Sequence, residues 1–177
     1  MDRWKEMVAS DRDETTRIEG LERVRQEQNY WFLPRISAHL IAIHTFAHVL
    51  MRQLVFESGY SSSALRERIY VAPDAAGVLI YTADSDSEGS LGGLVRQGRP
   101  DRLTDLILLA LDQAVWCSAD PVCSEAAGQG LGGFNRAACH ACCLVPETSC
   151  VLANTLLDRG LLLGRPDGLP GLLGELV

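Results

Sequence analysis

All six cysteines of this chain fall between Cys117 and Cys150. They run W-C-S-A-D-P-V-C, then a glycine-rich spacer, then A-A-C-H-A-C-C-L-V-P-E-T-S-C. Cysteines this dense, with a C-x-x-C among them, hold a metal or form disulfides. Either outcome dictates the paths of several segments before core packing is considered. The N-terminus, Met1-Asp2-Arg3-Trp4-Lys5, has no apolar run of the kind an export signal carries. A cytoplasmic location is therefore expected. Disulfides are disfavoured there, so the cluster reads as a metal site.

A structural zinc takes four tetrahedral ligands, mostly thiolates and imidazoles. Cys139 and Cys142 form the usual C-x-x-C half-site, and Cys150 follows after Pro146 has turned the chain back. The fourth ligand comes from Cys117, Cys123 or His140. The first two flank Asp120-Pro121, a turn signal that can bring them together. Cys143 is expected to pack as a small apolar residue. The C-x-x-C lacks a thioredoxin-like βαβ context. The H-x-E…P-C-x-x-C pattern of zinc deaminases is also absent. The pattern thus favours a closed structural zinc over redox chemistry or a catalytic ion.

The remaining sequence frames that site. A chain of 177 residues suits one domain with a real core. Its net charge of −7 excludes a purely electrostatic nucleic-acid binder. Arg96, Arg99 and Arg102 make the only tight basic cluster beyond the N-terminal segment. Residues 1–34 read as a charged, solvated helix or arm that ends at an aromatic run and Pro34. Residues 35–164 read as the compact domain, and 165–177 as an irregular tail rich in glycine and proline.

Within the compact part, Ile36 to Gly59 reads as one long buried helix, with Gly59 as its stop. The histidines it carries, along with Arg52 and Gln53, argue against a membrane span. His44 and His48 share a face of that helix, a spacing that suits two metal ligands. Thr45 after His44 breaks the H-E-x-x-H pattern, so the pair reads first as structural or hydrogen-bonding histidines. Ala64-Leu65-Arg66-Glu67-Arg68 reads as a capped short helix or turn, with its arginines at the surface. Two β-rich runs follow as a hairpin or adjacent strands, Val78 to Thr82 being apolar enough for a central strand. The loop after it carries Asp84, Asp86 and Glu88 among glycines. A helix from Pro100 delivers the chain to Cys117, and a closing helix stops at Gly160. The expected class is mixed α/β (α+β): a small central sheet packed by long helices, with a cysteine-rich zinc-binding segment.

The ordered set H-T-F-A-H, S-E-G-S-L-G-G, C-S-A-D-P-V-C, A-C-H-A-C, P-E-T-S-C and N-T-L-L-D-R resembles the MrfA-like zinc-binding (MZB) domain. The resemblance covers about residues 40–163. That domain occurs at the C-terminal end of certain bacterial DNA-repair helicases and in the DrmB component of the DISARM anti-phage system, and the DrmB type is the nearer. The resemblance implies a Zn2+ held by four cysteines, in a module attached to a DNA-translocating machine. Carried over by position, the ligands are Cys139, Cys142 and Cys150, with Cys123 fourth and Cys117 as its substitute. It also implies partners: a helicase or another subunit of a DNA-processing or defence complex, DNA reached through that complex, and no membrane. The helicase or long N-terminal region that precedes the domain in the family is missing from this sequence, and no G-x-x-x-x-G-K-[ST] motor motif occurs. The expectation is a structural and interaction module, not an enzyme. The alternative is a metal-dependent hydrolase or nuclease that joins the acidic loop 84–88 to His44 and His48.

Overall fold

The computed structural model describes residues 2–72, 75–82 and 92–177. The acidic loop 84–88 lies outside the described residues. The centre of the molecule is a helix, α3 (Ala38–Ser58). Ser37 caps its start by accepting from the Leu40 N–H at 3.1 Å. Gly59 ends it in the left-handed region, at φ 74°. By length and composition α3 could cross a membrane, with a mean hydropathy of 1.2, but 72% of that stretch is buried inside the fold. It is the core helix, and its apolar residues meet protein on nearly every side.

Around α3 pack α5 (Pro100–Ala114), the short helices α4 (Gly92–Gln97) and α7 (Arg159–Leu163), and an antiparallel hairpin. The hairpin pairs β1 (Leu65–Val71) with β2 (Ala76–Thr82), from Leu65 opposite Thr82 to Val71 opposite Ala76. Together with the helices this makes a mixed α+β fold. Two sequence expectations change here. Residues 65–68 are strand, not helix, because Leu65, Glu67, Ile69 and Val71 alternate onto the face that meets α3. In the two-stranded sheet, β2 is an outer strand with Leu79 and Tyr81 exposed, so its apolar run does not mark a central position.

The expected closing helix also changes. Residues 151–157 form turns, in which Ala153, Asn154 and Leu156 all have positive φ. Helix α7 begins only after Asp158, whose carboxylate accepts from the Gly160 and Leu161 N–H groups. Gly160 therefore lies inside this helix, and Gly164 follows its end.

The N-terminal segment forms α1 (Asp2–Ser10) and α2 (Arg12–Glu27). Rather than standing off as a solvated arm, it shares the main core: Trp4, Val8 and Leu21 cluster with Leu40, Ile41, Phe134 and Leu161. The Trp4 indole donates to the Pro170 carbonyl, which ties α1 to the C-terminal tail. Glu14 on α2 is fully buried and meets three guanidinium groups: Arg17 at 2.7 Å, Arg136 at 2.6 Å and Arg165 at 2.9 Å. Asp158, also fully buried, shares Arg17 and Arg136. A Glu14→Gln substitution keeps the shape and removes the charge these arginines converge on. It is expected to lower unfolding free energy by about 2 kcal/mol in urea melts.

Candidate metal centre

The last turn of α5 points the chain at Cys117. The Asp120 carboxylate closes the turn that follows, accepting from the Cys117 N–H at 2.9 Å. This brings Cys123, in the single-turn helix α6 (Val122–Glu125), back beside it. The spacer then returns the chain to Cys139. Its carbonyl accepts from the N–H groups of Cys142, Cys143 and Leu144, which wraps the C-x-x-C into a tight knuckle. Arg52 of α3 clamps that knuckle from outside, donating to the carbonyls of His140, Ala141 and Leu144.

The outcome is four sulfurs within 4.8 Å of one another, from Cys117, Cys123, Cys139 and Cys142. Cys117 and Cys139 stand 3.5 Å apart, Cys123 and Cys142 3.8 Å, Cys139 and Cys142 3.8 Å. Thiolates about 2.3 Å from a tetrahedral zinc stand about 3.8 Å apart, so the set has the size of a zinc cage. All are free cysteines, and the separations far exceed a disulfide's S–S bond of about 2.05 Å. Backbone N–H groups point at two of the sulfurs: Ala119 at Cys117 (3.4 Å) and Cys139 at Cys142 (3.2 Å). Such donors favour thiolate over thiol. Burial and the neighbouring sulfurs meanwhile push the Cys117 and Cys123 thiols up. Four crowded sulfurs resist ionising together until a cation joins them, and this donor set therefore fits zinc.

Arg159 sits under the site. It donates to the carbonyls of Ala137 (2.6 Å) and Ala114 (3.0 Å), pairs with Asp120 (3.0 Å) and approaches the Cys123 sulfur (3.8 Å). One buried guanidinium thus joins the end of α5, the turn at Asp120 and the approach to the knuckle. Its positive charge also lies where four thiolates around a divalent ion leave excess negative charge.

The structure brings together three of the four expected ligands, Cys123, Cys139 and Cys142, and adds Cys117. Cys150 stands elsewhere, its sulfur 3.2 Å from His44 Nε2 in a separate buried cluster. The physical reason is the closing segment: the turn from Glu147 to Cys150 packs beside β1, away from the end of α5. His140 is exposed on the knuckle, and Cys143 is fully buried among apolar side chains. His44 and His48 are fully buried and face Glu67. Sequence reasoning missed Glu67, although the alternation of Leu65, Ile69 and Val71 places it on the inward face of β1.

Comparison with known proteins agrees with this centre. The family model described as the MrfA Zn-binding domain matches residues 46–143, a span that holds Cys117, Cys123, Cys139 and Cys142. A DISARM protein DrmB from Bacillus paralicheniformis is 51% identical over 127 residues, which are 72% of this chain and 23% of the relative. The chain thus spans less than a quarter of that protein's length.

Proposed function

We propose that this chain, which belongs to the MrfA Zn-binding domain family, is a zinc-stapled structural and interaction module of a DISARM-type defence complex. In that role it docks in the cytoplasm on a helicase or another subunit, and DNA is reached through the complex. The observation that carries the reading is the four-sulfur cage, buried but for the half-buried Cys139 and built from three separate stretches of chain. Zinc bound there would supply folding free energy and fix the loops that hold it. Four thiolates would fill a tetrahedral shell and leave no open position, so the cage reads as structural.

The surface beside the cage supports the docking part. Val115 and Trp116 precede Cys117, and Val122 precedes Cys123; these side chains are exposed by 57%, 69% and 77%. Metal binding at the neighbouring cysteines would hold these apolar groups in fixed positions, and a buried tryptophan is a common anchor of interfaces. Trp116→Ala should leave zinc content unchanged and shift stability by less than about 0.5 kcal/mol. It should weaken co-purification with the helicase-bearing subunit by at least about tenfold in affinity. Undiminished association of the variant would remove Trp116 from the interface. A failure of the wild-type chain to associate with that subunit would sink the docking reading itself.

Among the described residues, the geometry gives the hydrolase alternative no open site. His44 and His48 are sealed from solvent and engaged with Glu67, Cys150 and backbone carbonyls. A nuclease assay with single- and double-stranded DNA and added Mg2+, Mn2+ or Zn2+ is expected to show no cleavage above buffer. Metal-dependent cleavage that His44→Ala abolishes would restore the alternative.

A further inference from the structure

We propose that His44, His48, Glu67 and Cys150 form a second, independent metal site, which takes a zinc-class divalent ion in a closed N2OS cage. One ligand atom from each lies within 4.8 Å of the other three. His44 Nε2 is 3.0 Å from Glu67 Oε1 and 3.2 Å from Cys150 Sγ, and His48 Nε2 is 3.6 Å from the same carboxylate oxygen. Mixed nitrogen, oxygen and sulfur ligands at zinc bond lengths stand roughly 3.3–3.6 Å apart in a tetrahedron. The proposal does not depend on the docking role argued above.

Two features separate this cluster from an ordinary buried hydrogen-bond network. The first is that it leaves atoms unused. His48 Nε2 and Glu67 Oε2 are buried and make no hydrogen bond. An ion pair between His44 and Glu67 satisfies one nitrogen and one oxygen and leaves these two bare, a costly arrangement in a fully buried site. A cation at the centre takes the lone pair of His48 and the carboxylate together.

The second is that the outer groups turn the ligand atoms of His44, His48 and Cys150 toward the centre. His48 Nδ1 contacts the Cys143 carbonyl at 3.0 Å, and His44 Nδ1 contacts the Leu156 carbonyl at 3.3 Å. A carbonyl only accepts, so both Nδ1 atoms carry a proton, and each Nε2, turned to the centre, is the atom left to bind an ion. Metal-binding histidines are oriented in this way. The Cys150 sulfur accepts from the N–H groups of Leu152 (3.4 Å) and Asn154 (3.2 Å), which favours thiolate. Those contacts arise from the turns in which Ala153, Asn154 and Leu156 take φ of 51–57°. Non-glycine residues rarely adopt that conformation, and such strain concentrates at functional sites. The Asn154 side chain locks the loop by bonding both the N–H and the carbonyl of Val145.

Charge completes the argument. One carboxylate, one thiolate and two neutral imidazoles cancel a divalent cation, so the loaded site is neutral and suits a dry interior. With no ligand facing solvent, the ion would be structural, joining α3, β1 and the Cys150 turn. The four-cysteine cage joins a different set of segments, and Cys142 and Cys143 link the two: the first is a ligand of one site, the second orients a histidine of the other.

The test is zinc content and zinc X-ray absorption of the whole chain, loaded with excess zinc and freed of loose ion by gel filtration. Two zinc ions per chain and a first shell of mixed sulfur and nitrogen/oxygen scatterers are expected. Glu67→Gln and His48→Gln should each retain one ion in an all-sulfur shell. Cys139→Ser, read in the fraction that stays folded, should show the mixed shell alone. One ion per chain with sulfur ligands alone in the wild-type protein overturns the proposal while leaving the four-cysteine site standing. Should the variants fail to fold, the wild-type stoichiometry and shell still decide.

Discussion

Removing zinc from the protein with a strong chelator is expected to unfold it. Structural zinc sites contribute about 10–16 kcal/mol of apparent binding free energy near neutral pH. A domain of ordinary stability has about 5–15 kcal/mol in total. The core near the four-cysteine cage is itself built partly from ligands: Cys117, Cys123 and Cys142 pack with Val49, Leu111, Ala114 and Leu157. Without the ion, these thiols are a poor substitute for apolar side chains, and the crowded sulfurs hold no bond that keeps α5 and the knuckle together. Circular dichroism should show cooperative loss of helix on chelation, reversed by added zinc. Ligands must be deprotonated to bind, so the same unfolding should appear on acidification as protons displace the ion. A metal-free protein with full thermal stability would end the structural reading.

The second large effect is expected at Arg159. Its side chain is 6% exposed, and its contacts reach Ala114, Ala137 and Asp120. Arg159→Met preserves much of the apolar stem but leaves two carbonyls and a partly buried carboxylate without their donor. Breaking a buried pair from one side costs roughly 3–5 kcal/mol. Urea melts of the zinc-loaded protein should show a loss of that size. The double variant Arg159→Met, Asp120→Asn should recover part of it, because the uncompensated carboxylate is then gone. A loss below about 1 kcal/mol would mean that the guanidinium is not the brace described here.

The knuckle at Cys139 and Cys142 was legible in the sequence because its ligands are local: a C-x-x-C needs only one turn to converge. That Cys117 joins them and Cys150 does not was not legible, since it depends on where α5 ends and where the Cys150 turn packs. Arg159 and Asp120, which brace the Cys117 turn, are far apart in the chain and have no spacing signature. The cysteine pattern and the resemblance to the zinc-binding family both pointed to zinc, but position alone made Cys150 a ligand and left Cys117 as the substitute for Cys123. The body and the stop of helix α3 were legible, because the apolar run and Gly59 are local signals, while its start falls after the Ser37 cap and not at Ile36. Its two histidines were legible as neighbours on one face, but their partners come from a strand and a distant turn. Glu67 was hidden by arginines on either side, which gave residues 64–68 the look of a surface turn. The N-terminal helices were misjudged for a related reason. Their charge suggests solvent exposure, yet Glu14 is satisfied by Arg136 and Arg165, far along the chain.

The most direct test of the four-cysteine centre is 113Cd nuclear magnetic resonance of the cadmium-substituted protein. Ligation by four thiolates gives a resonance far downfield of any mixed nitrogen, oxygen and sulfur site. That resonance should be present in the wild-type chain, absent or moved far upfield in Cys117→Ser, and unchanged in Cys150→Ser. Its survival in Cys117→Ser together with its loss in Cys150→Ser would contradict the assignment of Cys117, Cys123, Cys139 and Cys142 as the zinc cage.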